Sequence, residues 1–382
     1  MISKKQKIKR ILYVSEKAGF FGGVERYIYD TAQVLKKAGW EIYMMYSEEA
    51  LDVEKFLKIF NGNFRKDDID KLIAEEDFDL AVIFKVNDPT LVSKLRLAFK
   101  TSVCVSDHDY YCLRHHKYFP IGRINCPLPS NLIYCSICNM GRGRMFNYAS
   151  LLNEIRKCDS FIVLSEFMRN NLIKNGFNEK DIFKIYPVCQ LPTKKINKQD
   201  FPKTPVIMFA GQLIRGKGVD LLLYALARIE RKFKAVIVGD GKDMEFLKAL
   251  AVKLGIDEKV KFMGWQDNVS RFWTKADIAV FPSRWQEPFG LTGIEAFSHK
   301  LPVVGFDVGG VTEWLHNGEN GLAVPSKDVT ALYVELEYLL GQPEIAIKMG
   351  ENGYKFVAKE FTPAKFISTM NAMVKKTRRK NV

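Results

Sequence analysis

No apolar stretch in this sequence of 382 residues reaches the roughly 20 residues a membrane-crossing helix needs. Nor does the N-terminal MISKKQKIKR carry the apolar core of a secretory signal before the first strand pattern begins. Together these absences lead to the expectation of a cytoplasmic protein. Cysteine is scarce and odd in number. Seven residues at irregular spacings argue against a disulfide framework and leave thiols or metal ligands. Acid is short too: 44 Asp and Glu against 58 Lys and Arg give a formal charge of +14, which implies an anionic partner, whether nucleic acid, acidic lipid or phosphorylated substrate. Part of that excess sits at the two ends, in Lys4, Lys5, Lys7, Lys9 and Arg10 and in Lys375, Lys376, Arg378, Arg379 and Lys380, where solvated tails are the plain reading.

Apolar residues, by contrast, are plentiful at 47%, ample for burial, and the length suits two domains of somewhat under 200 residues each. β-branched apolar runs alternate with helical patterns throughout, the form of parallel sheets covered by helices. KRILYVSE, EIYMMYS, DLAVIFK, TSVCVSD, SFIVLSE and FKIYPVC read as strands. GGVERYIYDTAQVLKKAG reads as a helix with Ile28, Ala32, Leu35 and Val34 inward. The polar, proline-punctuated stretch from Gln190 to Pro205 then reads as a linker. A second strand set follows in VIMFAG, KAVIVGDG, VKFMG, DIAVFPS, LPVVGFD and GLAVP. We therefore expect an α/β protein with two Rossmann-like, doubly wound domains facing a central cleft: 1–189, a linker 190–205, 206–355, and a C-terminal helix, 356–382, returning to the first domain.

Two near-misses narrow the chemistry. AGQLIRGKGVD, residues 210–220, puts Gly211, Gly216 and Lys217 in register with a nucleotide triphosphate loop, but Gly218 stands where a hydroxyl must hold magnesium. In VGDGKDM, Gly239 and Gly241 begin a dinucleotide fingerprint that Met244 breaks at the third glycine. The most informative stretch is PSRWQEPFGLTGIEAFSHKLPVVGFDVGGVTEWLHNGENGLAVP. There Glu287 precedes the turn Pro288-Phe289-Gly290, and Glu295 lies inside a helix that begins near Leu291. The unpaired N–H groups of that helix start, with Gly290 allowing close approach, suit a phosphate. A ligand with a central diphosphate would meet one carboxylate at its sugar end and the other at its ribose.

This stretch resembles the E-x7-E signature of the retaining GT-B glycosyltransferases of family 4. FGGVERYIYDTAQVLKKAGWEI is similar to the family's opening glycine loop and helix, VIVGDGKDMEFLKALAVKLG to its nucleotide-domain strand and helix, and GGVTEWLHNGENGLAVP to its closing block. The resemblance implies transfer of a sugar from a nucleotide diphosphate donor, UDP- or GDP-linked, to a glycan or lipid-linked acceptor with retention, no metal being required and no nucleic acid taking part. Under it Lys217 neutralises the leaving diphosphate. The family's arginine falls at Gln212, beside Gly211, so Arg215 is inferred to take its place. Glu287 holds donor-sugar hydroxyls and Glu295 the ribose, while Gly22, Gly23, Gly239, Phe289, Gly290 and Leu291 line the nucleotide. His108, in SDHDYY, resembles the family histidine beside the donor sugar; His115 and His116 have no such support.

Cys112, Cys126, Cys135 and Cys138, the last pair spaced C-x-x-C, are candidate ligands of a structural zinc, set evenly against reduced thiols. Cys104, Cys158 and Cys189 read as core residues. The two basic ends, brought onto one domain by the returning helix, would hold the enzyme at an anionic membrane from the cytoplasmic side. A sugar-nucleotide epimerase or hydrolase on the same scaffold, and a degenerate membrane-bound scaffold, stay open as alternatives.

Overall fold

The computed structural model describes residues 9–20, 22–112, 117–119, 124–126, 135, 138, 145–194, 196–198 and 200–380. The chain divides into two compact units, Met1–Val188 with Pro363–Val382 and Cys189–Thr362. In the first, β1 (Arg10–Ala18), β2 (Glu41–Glu49), β3 (Gly62–Arg65), β4 (Leu80–Ile83), β5 (Thr101–Val105), β8 (Ser160–Val163) and β9 (Ile182–Lys184) form one sheet in the order β3-β2-β1-β4-β5-β8-β9. All of its pairings are parallel. The short β6 (Tyr118–Phe119) and β7 (Ile124–Asn125) pair antiparallel apart from it.

β4, β5 and β8 are buried at every position, as expected of strands covered on both faces. The helix Gly23–Lys37 turns Ile28, Ala32, Val34 and Leu35 inward. Helix starts are fixed by side chains: Asp88 accepts from Thr90 and Leu91 N–H ahead of Pro89, and Ser165 accepts from Met168 N–H, caps worth about 1 kcal/mol each.

The last helix, Pro363–Lys376, lays Phe366, Met370 and Met373 into the first unit. Beyond it Thr377 Oγ1 donates to Ser160 Oγ at 3.1 Å, and Lys380 N–H reaches the Asp159 carboxylate that also accepts from Thr101 N–H. Lys380 Nζ pairs with Asp181 at 2.8 Å, and Arg379 donates to Leu97 O. The expectation of a purely solvated basic tail is thus corrected: two of its five cations are bound into the fold.

The second unit repeats the plan. β10 (Val206–Ala210), β11 (Lys234–Val238), β12 (Val260–Phe262), β13 (Ile278–Phe281), β14 (Val303–Phe306) and β15 (Gly321–Val324) run parallel in the order β12-β11-β10-β13-β14-β15. Strand order reverses between β1 and β4 in one sheet and between β10 and β13 in the other, the places where such sheets open to ligands at their carboxyl ends. Among the described residues no helix is long and apolar enough to cross a membrane.

Candidate functional site

At the reversal point of the second sheet, the loop after β10 and the loop after β13 are laced together. Gly216 O accepts from Arg284 N–H at 2.9 Å, with Ser283 Oγ 3.3 Å away. Gly218 has φ +70° and lies so near Pro282 O that a Cβ would come within 1.9 Å of it, so only glycine fits. This contact sets Lys217 over the second loop, where its Nζ meets Glu287 Oε1 at 2.7 Å. Ser283 Oγ donates to the same oxygen, while Glu287 Oε2 has no partner among the described residues. The Glu287 side chain is 7% exposed and that of Lys217 26%, so the pair is shielded without being sealed. From below, Glu287 O accepts from Gly310 N–H at 2.7 Å.

Gly290, at φ +94°, is the N-cap of the helix Leu291–Ser298. Gly293 N–H donates to Gly290 O, and the N–H groups of Leu291 and Thr292 have no partner among the described residues. Trp314, fully buried, props this start: its Nε1 donates to Phe289 O at 2.6 Å and its ring packs edge-on against Phe281 and Phe297. Phe289 is buried and meets Phe361, and Glu295 lies one turn into the helix, half-buried. Gly211 follows β10, and its N–H donates to Val238 O; Gly239 follows β11, and its N–H donates to Gly264 O.

Arg215 diverges from Lys217. Its guanidinium lies 3.0 Å from Asp220 and over the Phe246 ring, with Gln212 exposed nearby in sequence. Asp220 is shared with Arg284, whose Nη2 reaches both carboxylate oxygens, at 2.7 and 2.9 Å. Sequence reasoning missed Asp220, Ser283 and Arg284. A signal was present for the first: an aspartate among the inward apolar positions of VDLLLYAL.

At the carboxyl end of the first sheet, Lys85 Nζ lies 2.9 Å from Asp107 and 3.3 Å from Asp109. Burial first, then the neighbouring Asp109, raises Asp107 to about 7 against the pull of Lys85. His108 between them is buried, with Nδ1 2.7 Å from the Tyr111 hydroxyl. Gly22 caps the helix that Gly23 begins.

Cys112 Sγ accepts from Lys117 N–H at 3.3 Å, and Cys126 N–H donates to Lys117 O at 2.6 Å. Among the described residues no group of three or more His, Cys, Asp or Glu is placed to hold a metal ion. The reading of Cys112, Cys126, Cys135 and Cys138 as ligands of a structural zinc therefore finds no support among the described residues. Cys104 and Cys158 are buried, and burial pushes both thiols up to about 12. Cys189 is buried in the second unit. His115, His116, Lys4, Lys5 and Lys7 lie outside the described residues.

Residues 192–356 match the family of glycosyl transferases group 1. The chain is 30% identical over 166 residues to a lipopolysaccharide core biosynthesis glycosyltransferase of Rhizobium meliloti, a match spanning 43% of this chain and 48% of that protein. It is 28% identical over 284 residues to an uncharacterized glycosyltransferase of Methanocaldococcus jannaschii, covering 70% of this chain and 76% of the relative. In fold it is similar to Anabaena HepE, solved in complex with UDP and glucose, at a TM-score of 0.75 and 16% identity over 96% of this chain and 99% of that one.

Proposed function

We infer that this chain, whose second unit matches the group 1 glycosyl transferases, moves a sugar from a UDP- or GDP-linked donor to a hydroxyl of a glycan or lipid-linked acceptor, with retention at the anomeric carbon. The setting would be the synthesis of cell-envelope polysaccharide or glycoconjugate. One observation carries the reading: the Lys217–Glu287 pair stands at the reversal point of a doubly wound sheet, in the loop that leads to a helix start whose first N–H groups have no partner among the described residues. A diphosphate there draws Lys217 and Arg215 and accepts from Leu291 and Thr292. Glu287 Oε2 accepts from donor-sugar hydroxyls, Glu295 from the ribose, and His108, Gly22 and Gly23 keep the roles the family resemblance implies.

Charge grows on the leaving diphosphate as the glycosidic bond breaks, and fixed cations and dipoles stabilise it without reorganising. The departing phosphate takes the acceptor's proton on the same face, so no carboxylate nucleophile of the glycosidase kind is needed. The scheme asks for no metal ion, because side chains and the helix start meet the charge. Its test is product analysis with a panel of nucleotide sugars and glycan acceptors: a new glycosidic bond with the donor's anomeric configuration is expected. An inverted product would remove the retaining mechanism, and donor loss that ignores the acceptor would favour an epimerase or hydrolase.

We also propose salt-reversible attachment to acidic membranes through the first unit. Lys9 donates to Asn371 of the last helix, and burial first, then the nearby charge of Lys375, lowers its pKa, which puts one lysine of the first basic run beside the last helix. Each such residue near an anionic leaflet is worth about 1 kcal/mol. Deleting the tail would also remove its contacts to Asp159 and Asp181, so charge reversal at Lys375, Lys376 and Arg378 is the cleaner probe. Co-sedimentation with anionic but not neutral liposomes, abolished by the reversal, is expected; equal partitioning onto both, or onto neither at low salt, would return the charge to solubility.

A further inference from the structure

The second unit needs cations for a diphosphate, and the position where the resembling family carries its arginine holds an exposed, uncharged Gln212. The structure brings up another arginine from a different element. Arg284 follows β13, three residues before Glu287, and its backbone N–H on Gly216 O seats it against the loop that carries Lys217. Its side chain is only 8% exposed. A guanidinium has five N–H donors. Here Nη2 alone is engaged, on Asp220, while Nε and Nη1 have no acceptor among the described residues.

The charge is as unbalanced as the hydrogen bonding. Asp220 also serves Arg215 at 3.0 Å, so one carboxylate is divided between two guanidinium groups. With Lys217 against Glu287, the two loops set three cations against two carboxylates. A further cation lies close by: Lys327, beyond β15, is held below its ordinary pKa by burial and, next, by the charge of Arg284. A guanidinium this little exposed, with donors left over, is best met by an anion, and a phosphate oxygen answers both its donor geometry and its charge.

We propose that Arg284 is an anion-binding residue of this unit, donating its unspent N–H groups to the phosphate of the nucleotide donor and so supplying, beside Arg215, a second guanidinium for the diphosphate. The proposal rests on the sugar-transfer reading. Asp220 is then the residue that holds Arg284 in wait, and it competes with the ligand for it.

Calorimetric titration with UDP, GDP, uridine and guanosine, on wild type and on folded Arg284→Met, Arg284→Lys and Asp220→Asn variants, tests this. Arg284→Met is expected to weaken the bound diphosphate tenfold or more while leaving the matching nucleoside within about twofold, and Arg284→Lys to recover part of the loss. Asp220→Asn, freeing the guanidinium, is expected to hold the diphosphate as tightly as wild type or more so. Equal loss of nucleoside and nucleotide in Arg284→Met would reduce Arg284 to a brace for the loop, and unchanged diphosphate affinity would remove it from the site. If Arg284→Met does not fold, weaker diphosphate binding in Asp220→Asn overturns the proposal. Wild type that binds neither diphosphate would sink the sugar-transfer reading itself.

Discussion

Lys217→Ala is expected to cut sugar transfer roughly a hundredfold or more, the effect of losing about 2.7 to 4 kcal/mol of charge stabilisation at the leaving group. Two losses combine. The diphosphate forfeits its nearest ammonium, and Glu287, only 7% exposed, keeps Ser283 as its one side-chain donor among the described residues while its counterion is gone. The second loss makes the variant less stable than the wild type, so the rate must be compared on protein shown to be folded. Lys217→Arg should recover part of the activity by restoring the charge. Combining Lys217→Ala with Glu287→Gln separates the losses: the double variant should regain stability relative to Lys217→Ala and stay inactive, because the two residues are in direct contact and their effects do not add. Near-wild-type turnover in folded Lys217→Ala would remove lysine from the diphosphate.

Trp314→Ala is expected to cost about 3 to 5 kcal/mol of stability, the usual range for emptying a buried indole site. It should also weaken nucleotide binding. The indole fills the space beneath Gly290 and Gly293, and its Nε1 bond to Phe289 O fixes the turn that starts the helix Leu291–Ser298. A Cβ at Gly293 would lie 2.2 Å from the ring, so Gly293→Ala should produce a milder form of the same defect by pushing the indole aside. Chemical denaturation of the three proteins, with nucleoside diphosphate affinity measured alongside, checks this. A loss under about 1 kcal/mol in Trp314→Ala, with affinity intact, would show that the helix start is held by other means.

The sheets were legible because their strands are short apolar runs bounded by polar turns, and burial on both faces leaves no other use for such runs. β4, β5 and β8 are buried at every position and read plainly. β3 went unread. At the sheet edge, GNFR pairs on one side only and needs a single apolar residue, Phe64, among polar neighbours. The helix in VDLLLYALARI ends at Leu226, earlier than its pattern suggests, with Arg228 and Ile229 closing tighter turns onto Ala225 and Leu226.

The site divides in the same way. Lys217, Glu287 and the Gly290 turn lie in contiguous motifs and could be singled out from sequence. Asp220 and Arg284 could not be paired there, because 64 residues separate them and only the approach of two loops makes a buried carboxylate and guanidinium compatible. Cys112, Cys126, Cys135 and Cys138 can be singled out as candidate ligands by their spacing, but spacing alone does not say whether four sulfurs converge. The tail likewise read as solvent-facing charge, since nothing in its sequence announces that Asp159 and Asp181 await Lys380.

The measurement that bears most directly on the account is release of nucleoside diphosphate from a panel of UDP- and GDP-sugars, with and without glycan acceptors, by wild type and by Glu287→Gln. The account predicts that one donor class is consumed, that release depends on acceptor and matches the new glycosidic bonds formed, and that Glu287→Gln loses most of this activity while still binding nucleoside diphosphate. Release that is independent of acceptor, or a Glu287→Gln variant that transfers sugar at the wild-type rate, would contradict it.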